Sequence, residues 1–393
     1  VSADLVRPPP ATPRRLVLVG LLTIGALTGC KADDPPATPD GAPRPDAALI
    51  DSGPDAVPVD ADPGCQPLDT DYQPRVDGSA GDTWPACISD DNAYHPFDAS
   101  ISTLARVAAF EEIRALLVTG AAPSPDDFLD ARAQYLLANG LESRVARRED
   151  EHFPPVLDGG GSPVACQSLA PEDQQANADR CVGPARIGPL INAAFAVGQD
   201  AGSTDAARRI AAAQVEAGLL WFLYVSTHKE AMTCAQTQAD CDSHYAYYTG
   251  GEPRELGKGL ARYVRDLDGE AHDRVWDGVL AVRCWRDLDN PTGVAMDLAL
   301  RDTAVGQLDR ALLRGLALIV RDRTLDVAGT PPGAAQDAHW AFVRVLGPVL
   351  LREAEARDAG EAALLAAELA TPAAIDVDAA QLLASLAALF PCA

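Results

Sequence analysis

Residues 204–229 restrict the fold more than any other stretch. They read as one long helix that becomes apolar on nearly every side at Leu219-Leu220-Trp221-Phe222-Leu223. A helix without a polar face belongs at the centre of a larger assembly. The rest of the chain supplies one. Ile101, Leu104, Val107, Ala108, Ile113, Leu116 and Leu117 recur on a 3.6-residue period, behind Asp98-Ala99-Ser100 as a cap and ahead of Gly120 as a stop. Ser124-Pro125-Asp126-Asp127 combines a cap, a proline at the first helical position and acids at the positive dipole end; Asn139-Gly140 closes that helix. Helices are further expected at about 186–197, 254–267, 270–288, 295–326, 334–358, 360–370 and 377–389, while strand-like alternation is nearly absent. Residues 150–185, rich in Gly, Pro and polar groups, read as a long surface loop. The expectation is an all-α helical bundle over residues 98–393, long enough to bury a core, with a lead-in at 65–97.

The N-terminus reads differently. Arg14-Arg15 precede a short apolar run that ends in Leu27-Thr28-Gly29-Cys30, the pattern of a secretory signal. It resembles a bacterial lipoprotein signal, which implies that residues 1–30 direct export and that Cys30 is lipidated. The partner is then a membrane, reached through the lipid. Lys31, rather than Asp, after that cysteine favours the outer membrane. Residues 31–64 are mostly Asp, Pro and Ala and lack the apolar surface to fold, so they read as an extended tether. Asp60, Asp62, Asp69 and Asp71 lack the Gly and closing Glu of a calcium loop. A net charge of −25 argues against a nucleic-acid partner and is compatible with cationic ligands.

Beyond Cys30 there remain Cys65, Cys87, Cys166, Cys181, Cys234, Cys241, Cys284 and Cys392. An even number in an exported chain points to disulfides, and the absence of any C-x-x-C weakens zinc and redox readings. The shortest loops suggest Cys65–Cys87, Cys166–Cys181 and Cys234–Cys241, leaving Cys284–Cys392.

Chemistry concentrates between Gln214 and Arg254, which hold Tyr224, His228, His244, Tyr245, Tyr247 and Tyr248. A Cys234–Cys241 staple would join two antiparallel helices. His228 lies six residues before it and Tyr247 six after, so each would sit about 9 Å away. Tyr224 and His228 share a face, as do His244, Tyr247 and Tyr248. Imidazole and phenol groups could converge there, with Glu230, Asp242 or Glu252 adding a carboxylate. Such donors suit a hard ion such as Fe(III). His95, His152, His272 and His339 read as loop or hydrogen-bonded histidines. No H-E-x-x-H, G-x-S-x-G or P-loop motif is present, so the chain is not expected to be an enzyme. His244-Tyr245-Ala246-Tyr247-Tyr248 is echoed 95 residues later by His339-Trp340-Ala341-Phe342-Val343, each after a long apolar helix. This suggests a duplicated helical hairpin, with Arg323 standing where the first copy has His228.

Thr227-His228-Lys229-Glu230-Ala231, His244 to Gly250, Arg283-Cys284-Trp285-Arg286-Asp287-Leu288 and His339 to Pro348 resemble the iron-assimilation proteins of algae, low-iron-inducible periplasmic proteins related to phytotransferrins. The resemblance spans about residues 201–359. It implies a helical, non-catalytic protein of the cell envelope that binds Fe(III), alone or with a synergistic anion, for uptake. The family's acid and glycine before the aromatic core are replaced here by Ser243-His244 and Ala338-His339, so only Tyr247 and Tyr248 carry over. Together with Tyr224, His228, Glu230 and His244 they form the expected metal set. The alternative is an envelope adaptor that binds a protein partner through apolar helix faces and holds no metal.

Overall fold

In the computed structural model, residues 66–76, 82–137 and 140–393 are described. The signal segment with Cys30, the tether and Cys65 lie outside the described residues. Helices occupy Leu104–Leu117 (α1), Pro125–Leu136 (α2), Leu141–Val145 (α3), Pro171–Ala176 (α4), Gly188–Gln199 (α5), Asp205–Thr233 (α6), Gln238–Thr249 (α7), Leu260–Leu267 (α8), Gly269–Leu288 (α9), Leu298–Gly329 (α10), Ala334–Leu346 (α11), Leu351–Arg357 (α12), Ala359–Leu369 (α13) and Ala379–Leu389 (α14), with no strand among the described residues. The all-α bundle expected from the periodicity is what the chain forms.

Local chemistry sets the helix ends. Ser124 Oγ accepts from the Asp127 N–H, and the Asp127 carboxylate accepts from the Ser124 N–H, closing a reciprocal capping box at α2. Helix α1 starts later than Asp98 would suggest. That carboxylate is used in a local turn, accepting from the Ser100 N–H at 2.8 Å, and the helix begins after Thr103. The single helix expected at 334–358 divides into α11 and α12 around a short turn at Gly347–Leu350, where Pro348 has no N–H to give to an α-helical ladder.

Helix α6 is central, as its composition requires. It packs against α5, α7 and α11, and Leu219, Leu220, Phe222 and Leu223 are fully buried. The other long helix, α10, packs against α9, α11 and α14. Gly278 lets α9 approach it closely, since a Cβ there would lie 2.6 Å from Leu308 Cα. The Tyr224 hydroxyl meets Asp309, and Glu216 meets Arg323 at 3.3 Å. Rising numbers on one helix therefore pair with falling numbers on the other, and α6 and α10 cross antiparallel.

Disulfides join Cys166 to Cys181 and Cys234 to Cys241, both as the short loops suggested. The other two expected pairings are corrected. Cys87 bonds Cys284, tying the lead-in to α9 across 197 positions, and Cys392 is disulfide-bonded to a cysteine other than Cys284. Loop length is the wrong criterion once the lead-in docks on a distant helix. Its Ile88 N–H also donates to Asp287 of α9, at 3.0 Å.

Candidate metal centre

The site grows from a five-residue segment, 148–152, in the connection that the sequence presented as loop. Its backbone is clamped from 180–183. The Asp150 N–H donates to the Arg180 carbonyl at 2.9 Å, and the Arg180 guanidinium donates to the carbonyls of Asp150 and Phe153 and to the Glu151 carboxylate. Gly183 donates to the Arg148 carbonyl and sits so close that any Cβ would collide with the Val145 carbonyl. The neighbouring Cys166–Cys181 bond holds this connection closed. Its far end is plugged by Arg148, which donates to Glu230 of α6 at 2.8 Å and to the Tyr247 hydroxyl of α7 at 3.2 Å.

The segment brings Asp150 and His152 against α6 and α10. His152 Nδ1 lies 2.6 Å from Asp150 Oδ1 and its Nε2 3.0 Å from Asp309 Oδ2 of α10. The His228 ring of α6 stacks on His152, with centroids 3.8 Å apart and planes 14° from parallel. The Tyr224 hydroxyl donates to Asp309 Oδ1 at 2.9 Å, and Arg352 of α12 approaches Asp309 Oδ2 at 3.4 Å. One ligand atom from each of Asp150, His152 and His228 lies within 4.8 Å of the others. His228 Nδ1 is buried without a hydrogen-bond partner. A buried polar atom left unpaired costs stability, so this orphan nitrogen, on a ring stacked against His152, asks for a ligand. Beside the cluster, a cavity of about 380 Å³ is lined by His152, Tyr224, Trp221, Arg186 and Arg352.

The electrostatics separate the two imidazoles. Burial works against a charge on His152, but its hydrogen bonds to Asp150 and Asp309 outweigh burial and hold its pKa up at about 9. Burial first, with the neighbouring His152 and Arg352 charges adding to it against the pull of Asp309 and Asp150, pushes His228 down to about 4, so it stays neutral and can give a lone pair. Burial would raise the Asp309 carboxyl, yet the His152 hydrogen bond and the cations around it keep it far below the usual range. Two imidazoles and a carboxylate, without thiolate, suit a first-row transition metal. The carboxylates of Asp150 and Asp309, one on each ring nitrogen of His152, fix the orientation of that ring. An ion entering here would displace the His152 proton.

The residues expected to converge are dispersed. Only His228 is among the clustered donors, with Tyr224 one hydrogen bond away through Asp309. Tyr247 and Glu230 instead hold Arg148. Tyr247 packs edge-on to Phe222 at 5.6 Å and its hydroxyl accepts from Arg148, so it is not among the donors grouped with His228. The Tyr248 hydroxyl bonds His272 Nδ1 at 2.9 Å, and His244 Nε2 faces the Val279 carbonyl at 3.4 Å. Asp242 accepts from the backbone of Phe97 and Asp98. The cause is that α7 is enclosed by α1, α6, α8 and α9, so neighbouring positions on it face different helices.

Asp150, Asp309 and Arg352 are not among the residues expected from sequence, and His152 reads there as a loop histidine. The one local signal was an acid two positions before a histidine, Asp150-Glu151-His152. No family model, curated protein or solved structure matches this chain.

Proposed function

We propose that this protein is a lipid-anchored envelope protein that holds one transition-metal ion, iron foremost, at Asp150, His152 and His228, and serves its uptake. The observation that carries the reading is the juxtaposition of one ligand atom from each of those residues within 4.8 Å, together with a His228 ring whose Nδ1 is buried without a partner. The resemblance to algal iron-assimilation proteins supports iron, and the Leu27-Thr28-Gly29-Cys30 pattern supports the anchor. With Tyr247 and Tyr248 engaged elsewhere, the donor set suits Fe(II) as well as Fe(III). Asp309, 3.0 Å from His152 Nε2, is a fourth potential donor at hand, and the adjoining cavity leaves room for water or a small anion on the ion. Titration with Co(II) tests the site, because an ion taken up by two imidazoles and a carboxylate gains visible ligand-field bands. A His152→Ala/His228→Ala variant should show none. Equal bands in that variant would refute the site.

The duplicated-hairpin reading also gains support. Asp268 ends α8 and caps α9, with φ −152° and ψ 111°; Asp358 ends α12 and caps α13, with φ −153° and ψ 108°. At the opposite end of the α6–α10 crossing from His228 and Asp309 stands the Glu216–Arg323 ion pair. On that reading the second unit carries a fixed guanidinium where the first carries His228, and one ion per chain is expected.

A further inference from the structure

A second cavity, of about 150 Å³, opens where α6, α10 and α11 meet the turn between α1 and α2. It lies twelve residues, about 18 Å along α6, from His228 and is separate from the metal centre. One side is apolar, made by Leu117, Ala212 and Phe342 among others. The other carries Arg209, Arg323, His339 and Glu216. These four are not equivalent. The Glu216 carboxylate is already used by Arg323 and by the Tyr263 hydroxyl. His339 Nδ1 faces Asp326 at 3.3 Å, and Asp326 lies outside the cavity wall. Arg323 is laid over the Phe342 ring at 4.8 Å and is neutralised by Glu216 and Asp326.

Arg209 is half-buried and has no acceptor among the described residues. In a chain with 57 acidic and 32 basic residues, a partly desolvated guanidinium without a carboxylate is out of keeping with its surroundings. With Arg323 held by Glu216 and Asp326, Arg209 is the guanidinium on this wall left without a carboxylate among the described residues. The volume matches a benzene-sized ring. A guanidinium offers a carboxylate two parallel hydrogen bonds.

We infer that this cavity is a binding site for a small aromatic or branched organic acid of about benzoate size. The apolar body lies on Leu117, Ala212 and Phe342, and the carboxylate meets Arg209. The volume fits one such ring, and the paired state of Glu216 works against a cationic ligand.

Ligand-observed NMR titration of the purified full chain with benzoate tests this. One saturable site is expected. Arg209→Leu should weaken it by about tenfold or more. Arg321→Leu, which removes the same charge from an exposed position on α10, should leave it unchanged. Benzamide, of the same shape without the charge, should bind at least about tenfold more weakly. Benzoate binding should persist in His228→Ala, which separates this site from the metal reading. No saturable binding at millimolar benzoate, equal binding of benzamide, or equal losses in the two arginine variants would each overturn the inference.

Discussion

Replacing Arg148 by Met probes the link between α6, α7 and the segment that carries the metal donors. The Arg148–Glu230 pair is 2.8 Å long, with side chains 5% and 10% exposed, and the guanidinium also lies 5.5 Å from the Phe222 ring and 5.4 Å from the Tyr247 ring. Methionine conserves much of the volume but strands the Glu230 carboxylate. Removing one partner of a buried pair costs about 3–5 kcal/mol. Lys229, 3.4 Å from Glu230, softens the loss toward the lower figure, about 3 kcal/mol. That is a sizeable part of the total stability of an ordinary domain. Urea unfolding followed by far-ultraviolet circular dichroism measures it. The double variant Arg148→Met/Glu230→Met should recover about 2 kcal/mol of the loss, because two apolar side chains replace two desolvated charges. Tyr247→Phe should cost about 1 kcal/mol, one hydrogen bond. A single-variant loss below about 1 kcal/mol, or a double variant no better than the single, would refute the anchoring role.

Other outcomes follow from the same structure. His244 is fully buried with its pKa pushed down to about 4 by burial, whereas the unfolded chain binds that proton near 6.5. Its contribution therefore erodes as pH falls from about 6.5 toward 4, by about 2 kcal/mol at pH 5, and His244→Leu should flatten that part of the stability profile. The Cys87–Cys284 bond closes a separation of 197 residues and Cys234–Cys241 one of 7. Chain-entropy reasoning gives losses of about 5 and about 2 kcal/mol for their Ala variants, an order that calorimetry would check. Tyr248→Phe should leave Co(II) affinity within about twofold, because its hydroxyl serves His272. His228→Ala should lower that affinity by at least about a hundredfold, and competition with a chelator reads both.

The helices were legible because their signals are local. The α2 capping box, the Gly120 stop and the featureless apolar band of α6 each act within one or two turns. The pairing of Cys87 with Cys284 was not legible, because it follows from how the lead-in docks on α9. The candidate site shows the same division. His228 stood out for its place on a central helix. His152 looked like a loop histidine beside a proline, since its second partner, Asp309, is 157 residues away. Tyr247 and Glu230 had the right chemistry for ligands, and the fold uses them to hold Arg148. Position on a helix face told which residues are buried, but not which neighbour each would meet.

The central claim is tested most directly by crystals of the full chain grown with Co(II) and measured at the cobalt absorption edge. One anomalous peak is expected, about 2.0–2.2 Å from an Asp150 oxygen and from one nitrogen each of His152 and His228, the range of such bonds at a borderline divalent ion. A chain saturated with metal whose anomalous peak lies elsewhere, with His152 still bridging Asp150 and Asp309, would contradict it.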